Sequence, residues 1–393
     1  MGVAGGVRNL QWLFTATFLT MLAAVPLYGA LVARLPRRLF IPLVYHFFVA
    51  NLAIFWLLLT LGAERQIVAR VFFVWISVFN LFAVSVFWSF MADLFSSEQG
   101  KRLFGFIAAG GSAGALAGPA LTIGLSQAIG VANLLIVAAL LLEGAVLCAG
   151  RLEISSPKSS NPSKSLIGGG PLDGLLMVLR SPYVAGIMLW VSLLSVVATF
   201  LYFEQAAIVA AASDDPATRT RIFATVDLVV GVLTILVQFA ATGKLIARFG
   251  VGPALALLPF VFAAGFAALA AAPVLAVVIA FQALQRTANF AISNPAREVL
   301  FTVVARDEKY KAKNVIDIVA VRGADAAGGW LFTALRSLGM EIRGLSLAAI
   351  GIAAGCLVLA VALGREQERR SAIVRGDNKG SSAGSTAGNA TEG

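Results

Sequence analysis

The chain has 393 residues, of which 59% are hydrophobic and only 13% charged, with a mean hydropathy of +0.88. A soluble domain sits near half apolar and a quarter charged, so this one has too little polar surface to be wrapped in water. The net charge of +10 falls in short loops between apolar blocks, which is the pattern of a membrane topology and not of a nucleic-acid face.

Residues 1–9 carry Gly-rich bends and a single arginine, and read as an interhelical loop that opens on Met1. The apolar block after them is too long for a signal-peptide core. Eleven spans of about 20 residues or more are predicted, near 11–34, 39–61, 67–94, 102–128, 130–150, 183–210, 221–243, 251–271, 273–298, 312–335 and 342–364. That is the length needed to cross a hydrocarbon core of about 30 Å. None shows the alternating polar face of a membrane β-strand, so the spans read as helices. The Ser/Pro/Gly-rich stretch 151–182 reads as a cytoplasmic linker between a bundle over 1–150 and a second over 183–364. Residues 365–393 read as a disordered cytoplasmic tail, charged and then low in complexity.

With Arg34, Arg37 and Arg38 placed in the cytoplasm and the spans alternating, that side collects 21 Lys/Arg against seven opposite. This is a positive-inside bias, and it puts the visible N-terminus outside and the tail inside. This count gives charges near span ends to the adjoining loops and leaves Arg286 and Arg322 inside spans.

An internal echo divides the chain. Gly29-Ala-Leu-Val-Ala-Arg-Leu-Pro36 matches Gly243-Lys-Leu-Ile-Ala-Arg-Phe-Gly250 at Gly, Leu, Ala and Arg, including Arg34 and Arg248, 214 residues apart. Glu98-Gln-Gly-Lys101, followed by Arg102, has a looser counterpart in Glu308-Lys-Tyr-Lys311. Repeated halves are a common basis of alternating access. The Gly29 copy follows one visible span of its half, whereas the Gly243 copy follows two. The expectation is therefore twelve helices, the first of them missing before residue 11, with a genuine eleven-helix protein as the alternative.

Charged groups within spans are costly in lipid and tend to face a bundle interior or an aqueous cavity. Gln282, Arg286 and Asn289 recur at helical spacing on one face, a stripe suited to an anionic, hydrogen-bonding solute or to a structural ion pair. Lys311, Lys313, Asp317, Arg322 and Asp325 enter or line the tenth span. Lys313 with Asp317, and Arg322 with Asp325, stand at spacings that allow local pairing. The two lysines read either as attractors of phosphates or as side chains snorkelling to headgroups. Glu204 and Asp227 are candidates for solute contact, proton coupling or ion pairing. His46, the only histidine, reads as packing, and Trp12, Trp56 and Trp88 read as interfacial anchors.

No enzyme constellation is present. The Gly-rich run Gly110–Gly118 lacks the Lys-Ser/Thr ending of a phosphate loop and lies in an apolar span, so it reads as helix packing. Cys148 and Cys356 give neither a disulfide framework nor metal spacing. No metal or cofactor is expected, and the chain is expected to work as a monomer.

The stretch Gly29–Arg38 resembles the loop motif between the second and third helices of the major facilitator superfamily, with Ala33 where an acid is usual and Pro36 where glycine is usual. The run from Pro295 to Asp317, followed by Arg322-Gly323, is similar to the corresponding region of the ATP/ADP translocase family, and closer still to homologues in free-living bacteria. Phe87-Trp88 and the segment Glu98–Phe104 resemble another part of that family. The resemblance implies an all-α, two-bundle carrier in the bacterial inner membrane that exchanges nucleotides or related phosphorylated anions. It makes Lys311, Lys313 and Arg322 phosphate contacts. Asp325 departs from the pattern, since the nucleotide exchangers carry a lysine there. A proton-coupled carrier of another metabolite, or a membrane scaffold or lipid-handling protein, are the alternatives.

Overall fold

The computed structural model describes residues 9–34, 37–94, 97–155, 178, 180–304, 312–313 and 315–388, and for 25, 28–34, 37–41, 89, 92–93, 97–106, 108–109, 153–155, 241, 318 and 374–388 the backbone alone. All described regular structure is helical. Five helices come first: α1 (Leu10–Arg34), α2 (Arg37–Thr60), α3 (Arg65–Leu94), α4 (Ser97–Leu125) and α5 (Leu134–Ser155). They are followed by α6 (Pro182–Ala212), α7 (Pro216–Val237), α8 (Gly243–Phe249), α9 (Val251–Ala271), α10 (Leu275–Ala288), α11 (Asn294–Leu300), α12 (Val321–Ser337) and α13 (Ile342–Gly388). Among the described residues, eight helices are long and apolar enough to cross a membrane; Leu10–Ala24 is apolar but shorter. Large apolar side chains such as Leu140, Leu147, Phe239 and Val358 point outward. Water does not tolerate such a surface over so many turns, and lipid does.

The chain divides into two compact units. One comprises 1–168, 199–232 and 325–338, the other 169–198, 233–324 and 339–393. Three of the boundaries fall inside α6, α7 and α12.

In the first unit α2 packs on α3 and α5, and α1 on α3. Phe48 stands edge-on to Trp75, Phe79 and Phe82, and Phe55 does the same with Phe72 and Trp75. Without water to drive apolar association, such ring packing is a main source of cohesion between membrane helices. Phe14 of α1 meets Tyr202 and Phe203 of α6, and Gly329 of α12 leaves room for Phe203 and Gln11. His46 on α2 stands 3.5 Å from Glu143 on α5 through Nε2, while its Nδ1 lies 2.6 Å from the Pro42 carbonyl. The lone histidine, expected to be packing, is more than half exposed and makes an interhelical contact.

In the second unit α9 and α13 share the most extensive contact. Gly252 and Gly364 stand face to face, and a Cβ on Gly364 would run into the Gly252 backbone. Small residues permit this close approach of two helices. Gly250 makes the one-residue turn between α8 and α9 at φ 82°, ψ 178°, a conformation essentially confined to glycine.

Three π-helical segments, Gln238–Thr242, Asn289–Ser293 and Val315–Ala320, interrupt the α-helical ladders. The second has a visible local cause. Pro295 has no N–H to offer the carbonyls of the preceding turn, and the Asn294 N–H bonds five residues back, to Asn289. The carbonyls of Phe290 and Ala291 are served instead by the neighbouring π segment: Gln238 Nε2 donates to Phe290 at 3.3 Å and Thr242 Oγ1 to Ala291 at 2.8 Å. Two irregular turns therefore satisfy each other side by side.

Candidate functional site

A cavity of about 230 Å³ lies within the second unit. Trp190, Ser195 and Ala198 of α6, Leu258 and Phe262 of α9, Val321 of α12 and a polar stripe from α10 through α11 line it. The stripe is Gln285, Arg286, Asn289, Ser293, Asn294 and Arg297. Arg286, Asn289, Ser293 and Arg297 follow at steps of three, four and four, so they share a face although the π turn intervenes. With a rise of about 1.5 Å per residue, the Cα atoms of the two arginines stand roughly 16 Å apart along the axis.

The wall opposite is aromatic. Trp190 is 1% exposed, and its indole N–H has no hydrogen-bond partner among the described residues. Arg286 lies with its guanidinium 6.0 Å from the Phe290 ring. Arg297 contacts Asp317 of the third π segment through Nη1, 3.0 Å from Oδ1, while its Nε–H is buried and unpartnered among the described residues. Ser195 donates to the Val321 carbonyl at 3.3 Å, tying α6 to the start of α12. Two arginines with amide and hydroxyl side chains thus line a volume that Trp190 and Phe262 also wall. Such a site can hold a group bearing negative oxygen atoms next to a flat or apolar body.

Of the residues expected from the sequence, Arg286 and Asn289 line the cavity. Gln282 is buried outside its lining, and Gln285 takes that place. Lys313 pairs with Glu298, with Nζ 2.7 Å and 2.8 Å from the two carboxylate oxygens. Asp317 pairs with Arg297. The expected Lys313–Asp317 pair is replaced because a π-helical turn brings position i+5, not i+4, back over i. Arg322 and Asp325 lie on α12, and Thr199 donates to Asp325 Oδ1 at 3.5 Å within the first unit. Glu204, 1% exposed, and the part-buried Asp227 also belong to that unit. Gly243 opens α8, and Arg248 lies 5.6 Å from the Phe249 ring near its end. Gly29, Arg34, Arg37, Arg38, Glu98, Lys101 and Arg102 have only their helical backbone described, and Lys311 lies outside the described residues. Among the described residues no cluster of metal ligands occurs.

The stripe was legible further than Asn289. Continuing the spacing from Arg286 reaches Ser293 and Arg297, and Arg297 escapes notice because it stands one residue from the end of the predicted span 273–298 and is counted with the loop after it. Trp190 sits in a wholly apolar run with nothing to mark it.

Solved structures with the same chain path exist. The nucleoside transporter NupG superposes with a TM-score of 0.60 at 14% identity, over 92% of this chain and 89% of that one. A mutant of the same transporter gives 0.58 at 14%, covering 92% and 90%. A bacterial homologue of the human lysosomal transporter Spinster, inward-facing and unoccupied, gives 0.56 at 15%, covering 94% and 92%. The fold is that of the major facilitator transporters. No family model and no curated protein matches the chain. Within this fold the protein is a helical integral membrane protein.

Proposed function

We propose that the protein is a secondary transporter that carries an anionic, hydrogen-bonding solute by alternating access, with nucleotides or related phosphorylated anions as the substrate class. One observation carries this reading: Arg286 and Asn289 face the same cavity as Trp190 and Phe262. A fixed guanidinium in a low-dielectric span is tolerated where it meets an aqueous cavity or a counter-charge, and the aromatic walls suit a ring such as a nucleobase. That NupG carries nucleosides supports a ring-bearing solute. The resemblance of the 295–323 region to the ATP/ADP translocase family supports the phosphate.

In this reading the bundles are 1–150 and 183–364, joined by a cytoplasmic linker at 151–182. The bacterial inner membrane is the location and the tail is cytoplasmic. The carrier acts as a monomer without a cofactor, and the catalytic chemistry of an enzyme plays no part.

Counterflow in proteoliposomes tests the proposal. Vesicles loaded with unlabelled ADP should accumulate labelled ATP or ADP, and the Arg286→Gln variant should not. Folded protein with no nucleotide or phosphate counterflow at millimolar solute refutes the substrate class. A proton-coupled carrier of another metabolite is the second reading, favoured by the deep burial of Glu204 on α6. It is distinguished by uptake that follows an imposed pH gradient without internal solute.

A further inference from the structure

We propose that Gln285, Asn289, Ser293 and Asn294 form a neutral strip that recognises the uncharged, hydrogen-bonding ring of the solute, the base or the sugar of a nucleoside. This rests on the reading that the cavity is a solute site, and it is independent of where the solute's negative charge is held.

The four side chains line the cavity along the end of α10, the second π segment and the start of α11. Gln285 and Ser293 are 9% and 2% exposed, and Asn289 and Asn294 are half-buried. Among the described residues none of the four side chains has a hydrogen-bond partner, yet none of their polar atoms is sealed off. The Trp190 indole nitrogen and Arg297 Nε are sealed, so a solute in the cavity meets the strip and not those two nitrogens. Polar side chains on other helices of this chain behave differently. Asn51 donates to the Phe47 carbonyl at 2.7 Å and Thr333 to the Gly329 carbonyl at 2.8 Å, each one turn back. Asn289 and Ser293 forgo that bond. A bare polar group within a span is costly, and four on one cavity wall mark a place where partners come from outside the protein.

Chemistry selects the partner. An amide carries two donors and an acceptor, and a hydroxyl plays both parts. The strip thus offers acceptors as freely as donors. An ionised phosphate or carboxylate only accepts, and three amide oxygens would have to turn away from it. A nucleobase edge or a set of sugar hydroxyls, bearing donors and acceptors together, satisfies both sides of each amide. The neighbouring cations do not overrule this preference. Arg297 is matched by Asp317, 3.0 Å from Nη1, and Arg286 is engaged as well. Trp190 and Phe262 on the same cavity give a ring apolar surface to lie against. At about 230 Å³ the cavity is smaller than the roughly 300–1,000 Å³ of pockets that enclose a drug-sized ligand. That suits one or two rings and not a whole nucleotide.

The test is equilibrium binding of labelled adenosine, uridine and ADP to the full chain in detergent, with adenine, ribose and orthophosphate as competitors. At least one nucleoside should bind without any phosphate. Gln285→Leu and Asn289→Leu should each weaken it by about tenfold, and Ser293→Ala by about threefold. Displacement by adenine supports the base as the group that is read, and displacement by ribose supports the sugar. Displacement by orthophosphate but by neither adenine nor ribose overturns the proposal. Unchanged nucleoside affinity in both leucine variants, with normal melting, overturns it as well. If Asn289→Leu does not fold, unmodified affinity in both Gln285→Leu and Ser293→Ala has the same force. Binding of ADP with no nucleoside binding overturns the ring assignment and leaves an anion site standing. Nucleosides that bind as tightly as ADP keep the ring assignment and count against the anion. Binding of none of the three by folded protein overturns both.

Discussion

Arg286 sits eleven residues into the span Leu275–Val303, where neither end of the helix reaches water easily. Its replacement by glutamine removes one partner of a desolvated charged contact, a loss of about 2 kcal/mol or more. The expected result is a rise in the dissociation constant for a phosphorylated solute of roughly 30-fold, read by equilibrium binding. A second residue-scale expectation concerns Asp215, outside the spans. Its carboxylate accepts from the Thr218 hydroxyl at 2.6 Å and from the backbone N–H groups of Thr218 and Ala217 at 2.8 Å and 3.2 Å, capping α7. These bonds hold its pKa below the usual carboxylate value. A depressed folded-state pKa contributes stability that is present above the unfolded value and lost as pH falls through the folded one. Asp215→Ala should lower the melting temperature at pH 7, and the difference from the unmodified protein should shrink below about pH 4. Arg286 was legible because a lone cation in an apolar run stands out. The pairing of Arg297 was not, since it depends on a turn whose register only three-dimensional packing sets.

At the scale of elements, the paired π segments are the least ordinary feature of the second unit. Pro295 announces a break in the sequence, but nothing local says that the freed carbonyls will be met by Gln238 and Thr242, some fifty residues earlier. Thr242→Val keeps the shape and removes the donor to Ala291. It should destabilise the protein by about 1–3 kcal/mol, the cost of a buried acceptor left unpaired, visible as a lower midpoint in thermal unfolding. The α9–α13 contact makes a different demand. A Cβ on Gly364 meets the backbone of Gly252, and backbone cannot rotate out of the way. Gly364→Val should cost about 1–3 kcal/mol by overpacking and reduce the yield of monodisperse protein in size-exclusion chromatography.

For the whole molecule, the apolar blocks and the loop charges were enough to read a helical membrane fold, because lipid forces each crossing to satisfy its own backbone within one continuous segment. Long-range packing leaves no such imprint, so the burial of Trp190 and the partner of His46 emerge only in the folded chain. The sidedness implied by the loop charges is directly testable. Reporters fused after the tail should be active only in the cytoplasm, and a cysteine placed in the loop at Asp214 should react with an impermeant thiol reagent from outside. The opposite pattern would invert the topology.

α13 runs 47 residues without interruption, and its composition changes at Gly364, after which come Arg365, Glu366, Glu368, Arg369 and Arg370. The part before that point is about 33 Å long and fills a hydrocarbon core. The part from Arg365 to Gly388 adds about 36 Å more. Near the surface Arg370 stacks its guanidinium 4.6 Å from the Tyr183 ring, and the Tyr183 hydroxyl donates to the Leu300 carbonyl at 2.9 Å. With Ile342–Gly364 taken as the membrane crossing, the helix continues beyond it as a braced mast. Whatever is attached at its tip, whether a fluorophore or an affinity handle, stands several lipid-headgroup depths away from the membrane. A distance probe there would register small tilts of α13 as much larger displacements, an amplifier already built into the chain.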